Sequence, residues 1–328
     1  MKTILPSPAL FGEKHAWKSI SIVIPVYNEQ ENLPEIRKRL EKVLHTLNIR
    51  SSEIIFVSDG SKDDSEALIT EMAKEDSRIR GIFLARNFGH QAALSIGLSE
   101  ARGEVVAVLD GDLQDPPETI IPMLDELSRG ADVAFGVRQK RKENFFKRFC
   151  YWLFYRTLKI AANIDIPLDA GDFACMRKRV VDAMSELPET NKFLRGIRSW
   201  VGFKHVGVPY HRQKRFAGRS KFKSRQLIQL AYDGLFTFTD IPIKLMQIFG
   251  FFLSIMSFFV GIIYFILAFT TTSPKGFPTL IISIWFLSGI QMFTMGLLGE
   301  YLHRTFQQSL RRPVAIIRDT VGSGLASL

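Results

Sequence analysis

Apolar residues in the first 140 positions fall in short unbroken runs separated by amphipathic stretches. Ile20–Val26 (ISIVIPV) is continuous rather than alternating and rich in β-branched residues, the pattern of a strand buried on both faces. After Asn28–Glu31 a helical period runs to about Leu47. Further runs at Ile54–Val57, Ile79–Leu84, Val105–Leu109 and Val133–Val137 predict four more strands. Helical patterns lie between them, near Ser65–Lys74, over Gln91–Glu100 and from Pro116-Pro117 onward, where proline suits a first helical turn. Strands alternating with helices of this length predict an α/β domain with a mainly parallel sheet wound by right-handed crossovers.

Beyond Arg138 the pattern changes. Phe145–Ile160 mixes Phe145, Phe146, Phe149, Tyr151, Trp152, Phe154 and Tyr155 with Lys147, Arg148, Arg156 and Lys159. Rings and cations on one helix suit a segment lying in the plane of a lipid interface. Arg225–Phe238 is a second segment of that kind. Leu245–Ser273 then runs 29 residues without a charge, enough to span about 30 Å of hydrocarbon. After a short loop, Gly276–Gly299 is a second uncharged run. Lys244 precedes the first, and Arg304, Arg311 and Arg312 follow the second, while the connection carries Lys275 alone. Positive charge marks the cytoplasmic side, so both ends of the pair are expected inside.

The formal charge of +10 is uneven, with clusters at Arg138–Lys147, Arg212–Arg225 and Arg304–Arg318. No zinc-ligand spacing or RNP-like motif accompanies them, which disfavours nucleic acid as a partner and favours anionic lipid and phosphorylated ligands. Cys150 and Cys175 form no C-x-x-C and no framework, as in a reducing compartment. Met1–Trp17 has no apolar core of useful length and contains Pro6 and Pro8, so a secretory signal is not expected. The reading is therefore an integral protein of the plasma (inner) membrane with its catalytic part in the cytosol. The six histidines are scattered without an H-x-x-x-H and read as ordinary structural or surface residues.

Ligands of parallel α/β sheets sit beyond the carboxyl ends of the strands. Tyr27-Asn28-Glu29 follows the first strand, Asp59-Gly60-Ser61 the second, Arg86-Asn87 the third, Asp110-Gly111-Asp112 the fourth and Arg138 the fifth. Two acids spaced by a glycine can reach one hard divalent cation and a diphosphate, for which Mg²⁺ and Mn²⁺ both fit. Asp115, just before Pro116-Pro117, reads as a cap on the following helix. Asp59 reads either as an acceptor for a nucleobase or as a turn residue capping the next helix. Asp172 reads equally as a contact to sugar or acceptor and as a turn residue. No G-x-x-x-x-G-K-[ST] or G-x-G-x-x-G follows a strand, which disfavours an ATPase or a dinucleotide enzyme.

Ile24-Pro25-Val26-Tyr27-Asn28-Glu29, Val57-Ser58-Asp59-Gly60-Ser61 and Asp110-Gly111-Asp112-Leu113-Gln114-Asp115-Pro116-Pro117, in this order, resemble the GT-A, family 2 glycosyltransferases. The most similar subgroup is the polyprenyl-phosphate type, which includes dolichol-phosphate mannose synthase and bacterial bactoprenol glucosyltransferases. Arg215–Phe222 (RFAGRSKF) resembles its R-x-x-G-x-S-K segment, and the two apolar runs match the bactoprenol type. The resemblance covers about residues 18–310. It implies a GT-A, Rossmann-like core over residues 1–140 and an acceptor-binding part with interfacial helices over 141–240. A two-helix transmembrane anchor over 241–303 and a cytosolic tail over 304–328 complete the expected organisation. Pro25, Tyr27, Glu29, Asp59 and Asn87 would line the nucleotide pocket, and Asp110, Asp112 and Gln114 would hold the metal and diphosphate. Arg138, Arg148, Arg215, Ser220 and Lys221 would receive the acceptor phosphate. Ser58 departs from the many relatives that carry a second acid there.

The implied reaction is inverting transfer of a sugar, first of all glucose from UDP-glucose, to a polyprenyl monophosphate. A phosphate monoester has a second pKa near 6, so its oxygen is already an anionic nucleophile at neutral pH and needs no dedicated base. Two other readings compete. A processive polysaccharide synthase usually carries Q-x-x-R-W, which Ile197-Arg198-Ser199-Trp200 does not supply. A non-enzymatic scaffold or transporter component would be expected to carry charges inside its membrane helices, and these runs carry none. Gly289, Gly296 and Gly299 leave room for self-association of the second helix into a homo-oligomer.

Overall fold

The computed structural model describes residues 17–47, 49–138, 170–187, 189, 193–213, 241–270, 276–324 and 326–327. The two interfacial segments expected at 145–160 and 225–238, together with Cys150, Arg148, Arg215, Ser220 and Lys221, lie outside the described residues. Among the described residues, contacts divide the chain into two compact units. One holds residues 17–213 with 313–327, and the other holds the long helices of residues 241–312.

The first unit is built on a sheet of strands β1 (Ser19–Val26), β2 (Ser51–Ser58), β3 (Ile79–Leu84), β4 (Val105–Val108), β5 (Val133–Arg138), β6 (Ala170–Arg177), β7 (His205–Tyr210) and β8 (Ile317–Val321). They lie in the order β7-β5-β6-β4-β1-β2-β3-β8, with β9 (Ala326–Ser327) joining the start of β2. β1 pairs in parallel with β2 and β4, β2 with β3, and β5 with β7. β6 runs antiparallel to both β4 and β5, so β5 keeps the direction of the first four strands without touching them. The mainly parallel α/β sheet expected from the apolar runs is present, with antiparallel strands inserted.

The continuous apolar runs are explained by helices on both faces. Helix α1 (Leu33–Leu47) buries Leu33, Ile36, Leu40, Val43, Leu44 and Leu47. Helices α2 (Ser65–Glu75) and α4 (Ile120–Ser128) join it over Ile20, Ile22 and Ile24 of β1. Helix α3 (His90–Glu100) covers the other face so closely that a Cβ on Gly97 would lie 2.3 Å from Val23 Cγ1. Helix α5 (Lys178–Ser185) packs beside α3, and α6 (Leu194–Trp200) beside α5. The chain winds from β1 outward to β3, then returns through α3 to β4 on the opposite side of β1. That reversal opens a crevice between the carboxyl ends of β1 and β4.

The second unit contains α7 (Ile241–Thr270) and α8 (Phe277–Ser309). Phe249, Phe251, Phe252, Phe258 and Phe259 of α7 are each more than half exposed. Among the described residues, α7 is the helix long and apolar enough to cross a membrane, through a window at Ile243–Val260.

Candidate active site

Five polar strand ends meet on one rim, as the sequence predicts. At the β1 end, Pro25 is buried and Tyr27, Asn28 and Glu29 are partly buried. This turn interlocks with the turn after β2. Lys62 N donates to Asn28 Oδ1 at 2.7 Å, Asn28 N to Ser61 Oγ at 3.1 Å, and Glu29 N to Ser65 Oγ at 3.0 Å. Ser58 Oγ donates to Glu66 Oε1 at 2.8 Å.

Asp59 is buried, and its two carboxylate oxygens accept from Phe88 N at 2.7 Å and Gly89 N at 2.9 Å. Burial pushes its carboxyl up, and the two N–H groups oppose that rise. Asp59 therefore fixes the loop of residues 86–89, on which Asn87 is exposed. Gly60 has φ 65°, and a Cβ there would lie 2.6 Å from the Arg86 carbonyl carbon, so only glycine lets these two turns touch.

The Asp110–Asp115 loop leaves β4 beside the β1 end, where a Cβ on Gly111 would lie 3.0 Å from Pro25 O. Leu113 is buried with φ 57°, a left-handed conformation that branched L residues avoid and that concentrates at functional sites. Asp112 Oδ1 accepts from Gln114 N at 3.0 Å. Asp110 Oδ1 is buried with no hydrogen-bond partner among the described residues. Burial pushes Asp110 up to about 6, with His90 acting against this and Asp115, Asp172 and Asp112 adding to it. An orphaned carboxylate oxygen among other acids is the donor set that a hard divalent cation relieves, so the residues fit the implied Mg²⁺ or Mn²⁺. Among the described residues, no group of three or more His, Cys, Asp or Glu side chains makes a ready metal cage. A cation here would need further oxygens, such as those of a diphosphate.

The structure corrects three residue readings. Asp172 is a strand residue of β6, not a turn residue, and is 4 % exposed at its side chain. It accepts from Arg195 Nε at 2.9 Å and from Gln91 Nε2 at 3.0 Å. Burial opposes its charge, but Arg195 and His90 outweigh burial and hold the carboxyl well below the usual range. His90 is no ordinary surface histidine. Its Nε2 lies 3.7 Å from Asp110 Oδ1 and 3.5 Å from Asp172 Oδ2. Burial disfavours its charge, yet the hydrogen bond to Asp172 and the charges of Asp110 and Asp172 push it up to about 9, so it is a cation at neutral pH. No motif marks His90; its place at the first position of the helix after β3 is the available signal.

Asp115 is not a helix cap. Pro116 precedes the single 3-10 turn at Pro117–Thr119, with no side-chain cap, and Asp115 Oδ1 accepts instead from the Tyr210 hydroxyl at 2.5 Å. Burial and then Asp115 push the Tyr210 phenol up, so it stays protonated. Arg138, on the rim as expected, donates from Nε to the Tyr210 hydroxyl at 3.2 Å.

Residues 21–184 match the Glycosyl transferase family 2 domain. The uncharacterized glycosyltransferase YkcC of Bacillus subtilis (strain 168) is 40 % identical over 304 residues, 92 % of this chain and 94 % of its own. The bactoprenol glucosyl transferase of Shigella phage SfV is 37 % identical over 302 residues, 92 % of this chain and 98 % of its own. The prophage bactoprenol glucosyl transferase homolog of Escherichia coli (strain K12) is 36 % identical over 302 residues, 91 % and 98 % of the two chains. A GT-A-like sheet with acids at the switch point, matched by sequence identity along nearly the whole chain, has one reading: the protein belongs to glycosyl transferase family 2 and is a glycosyltransferase.

Proposed function

We propose that the protein transfers glucose from UDP-glucose to a polyprenyl monophosphate at the cytosolic face of the plasma membrane, with inversion and with Mg²⁺ or Mn²⁺. The observation that carries this reading is the rim itself, where an acid, Asp110, whose buried Oδ1 accepts no hydrogen bond among the described residues, and an arginine, Arg138, stand at the ends of parallel strands. Similarity to bactoprenol glucosyl transferases extends over more than nine-tenths of both chains, beyond the sheet domain alone, and supports the lipid acceptor.

Pro25, Tyr27, Glu29, Asp59 and Asn87 bind the nucleotide, with Asp59 offering its remaining lone pairs to a base N–H. Asp110, Asp112 and Gln114 hold the metal, which when bound neutralises the departing diphosphate. Arg138, joined by Arg148, Arg215, Ser220 and Lys221, binds the acceptor phosphate through planar, charge-assisted contacts. The acceptor oxygen is already an anion, so the protein's task is to bring two anions together in line and keep water out.

Chain parity supports a two-helix anchor. β7, which precedes α7 in the chain, and β8, which follows α8, belong to one sheet. A chain that leaves that side through α7 must return before residue 313, and α8 is the segment available to do so. Cations at both ends of the pair, against Lys275 in the connection, support a cytoplasmic position for the sheet.

The test is direct. Purified full-length protein with UDP-glucose, undecaprenyl phosphate and Mn²⁺ should yield a hexosyl-phosphate lipid by mass spectrometry. Asp112→Asn should lower turnover by roughly a hundredfold or more, the scale lost when charge stabilisation of a leaving group is removed. A polymer, a lipid left unmodified by the wild type, or wild-type turnover in the variant defeats the proposal.

A further inference from the structure

The acidic loop carries one carboxylate that the chemistry above leaves without a task. Asp115 is fully buried. Its Oδ1 accepts from the Tyr210 hydroxyl and lies 3.8 Å from Arg212 Nε, while Oδ2 lies 4.0 Å from Arg138 NH2 and has no hydrogen-bond partner among the described residues. A buried carboxylate is tolerated where cations and donors compensate it, and both arginines and the phenol come from strand ends on the acceptor side.

The contacts form a chain with a direction. Arg138 and Tyr210 are register partners across β5 and β7, and Arg138 donates to the hydroxyl that donates to Asp115. Gln213 N also donates to Gln114 O at 2.9 Å, which pins the end of the β7 segment to the same loop. The Arg138 guanidinium is confined on its other side, where a Cβ on Gly171 would lie 3.1 Å from NH2. Gln114 is itself one of the two points at which the β7 segment is anchored to that loop, and Asp112 stands two positions before it, on the donor side of the reaction.

We propose that Asp115 and Tyr210 are positioning residues: they hold the Arg138 guanidinium in the orientation that receives the acceptor phosphate and key it to the loop that holds the donor diphosphate. The inference rests on the function proposed above. Neither residue touches substrate; each acts through Arg138. Asp115 gives the arginine a fixed countercharge, and the phenol supplies the bond that sets its angle. Without the hydroxyl, Arg138 keeps its charge but loses the partner that aims it.

The experiment is steady-state transfer by the full chain, with undecaprenyl phosphate varied at saturating UDP-glucose, beside calorimetric titration with UDP. Tyr210→Phe removes one oxygen and leaves the ring, which packs edge-on against Phe173 at 5.5 Å between centroids. Its KM for the lipid should rise about tenfold, the scale of one lost hydrogen bond to a charged group, with kcat and UDP affinity within about twofold. Asp115→Asn should raise the same KM, and the double variant should be no worse than the poorer single one, because both residues act through one arginine. An unchanged lipid KM in Tyr210→Phe, an equal loss of UDP affinity, or additive effects in the double variant overturns the latch while the function stands. A wild type that makes no lipid-linked sugar overturns the function, and the latch with it.

Discussion

Asp172 shows how a single buried charge can organise this site. Its carboxylate takes hydrogen bonds from Arg195 and Gln91 and stands 3.5 Å from His90, and its own backbone oxygen and that of Gly171 receive the buried Arg198. Burial pushes Arg198 down to about 10, with Asp172 acting in the other direction. Replacing Asp172 with Asn leaves these cations without their countercharge. The expected loss is about 3 kcal/mol, the low end for breaking a buried pair because Arg195 is partly exposed. The Asp172 carboxyl is held below its unfolded value, so its contribution is complete above that value, near 3.8, and fades as pH falls below it. Thermal melts should therefore show the wild type well above Asp172→Asn at pH 6, with the gap closing between pH 4 and pH 2. A gap that does not change with pH would refute the ion pair as its cause. None of this was legible in the sequence. A strand Asp and a turn Asp look alike there, as do a capping Asp115 and one that meets Tyr210 from 95 residues away. Asp59, Asp110 and Asp112 stood out because each falls within three residues of the end of an apolar run.

At the scale of elements, the edge of the sheet carries a testable dependence. β8 covers β3, with Ala85 N donating to Ile316 O at 2.9 Å and registers from Leu84↔Ile317 to Gly81↔Val321. An uncovered edge strand is a template for aggregation, so this pairing protects the sheet. The tail leaves β8 through Gly322, whose φ is 77° and where a Cβ would lie 2.2 Å from Ile79 O. Gly322→Val should dislodge the tail, because a β-branched residue is strained at that φ and has no space. Hydrogen exchange by mass spectrometry should then run at least tenfold faster in the peptide covering residues 79–85, with β1 unchanged. Equal protection of that peptide in both proteins would show that β8 is not held through this turn. β1 to β5 were readable because strands covered on both faces leave continuous β-branched runs. β8 (IRDTV) was not, since an exposed edge strand buries too little to impose a pattern. β6 (AGDFACMR) hid for a related reason: its Gly171 and Asp172 serve Arg138 and Arg195, and they interrupt the apolar run that would have marked a strand.

For the whole molecule the question is which side of a bilayer each segment occupies. The long helices expose many phenylalanines, an apolar surface that fits the proposed bilayer anchor, and β7 before them and β8 after them belong to one sheet. The proposed anchor crosses twice, which keeps β3 and β8 on one side; a single crossing would require them to pair through the membrane. Cysteine accessibility separates the cases. Cys175 is fully buried and its thiol is pushed up by burial, so on a Cys150→Ser background the native protein should be silent to maleimides. Thr272→Cys, in the connection between the helices, should then react with a membrane-impermeant maleimide on intact cells. Ser323→Cys, in the exposed tail after β8, should react only once the membrane is opened. Labelling of both sites from outside would place the sheet on the wrong side for a cytosolic nucleotide sugar. Protection of both sites until the membrane is opened would mean that the helices do not cross at all.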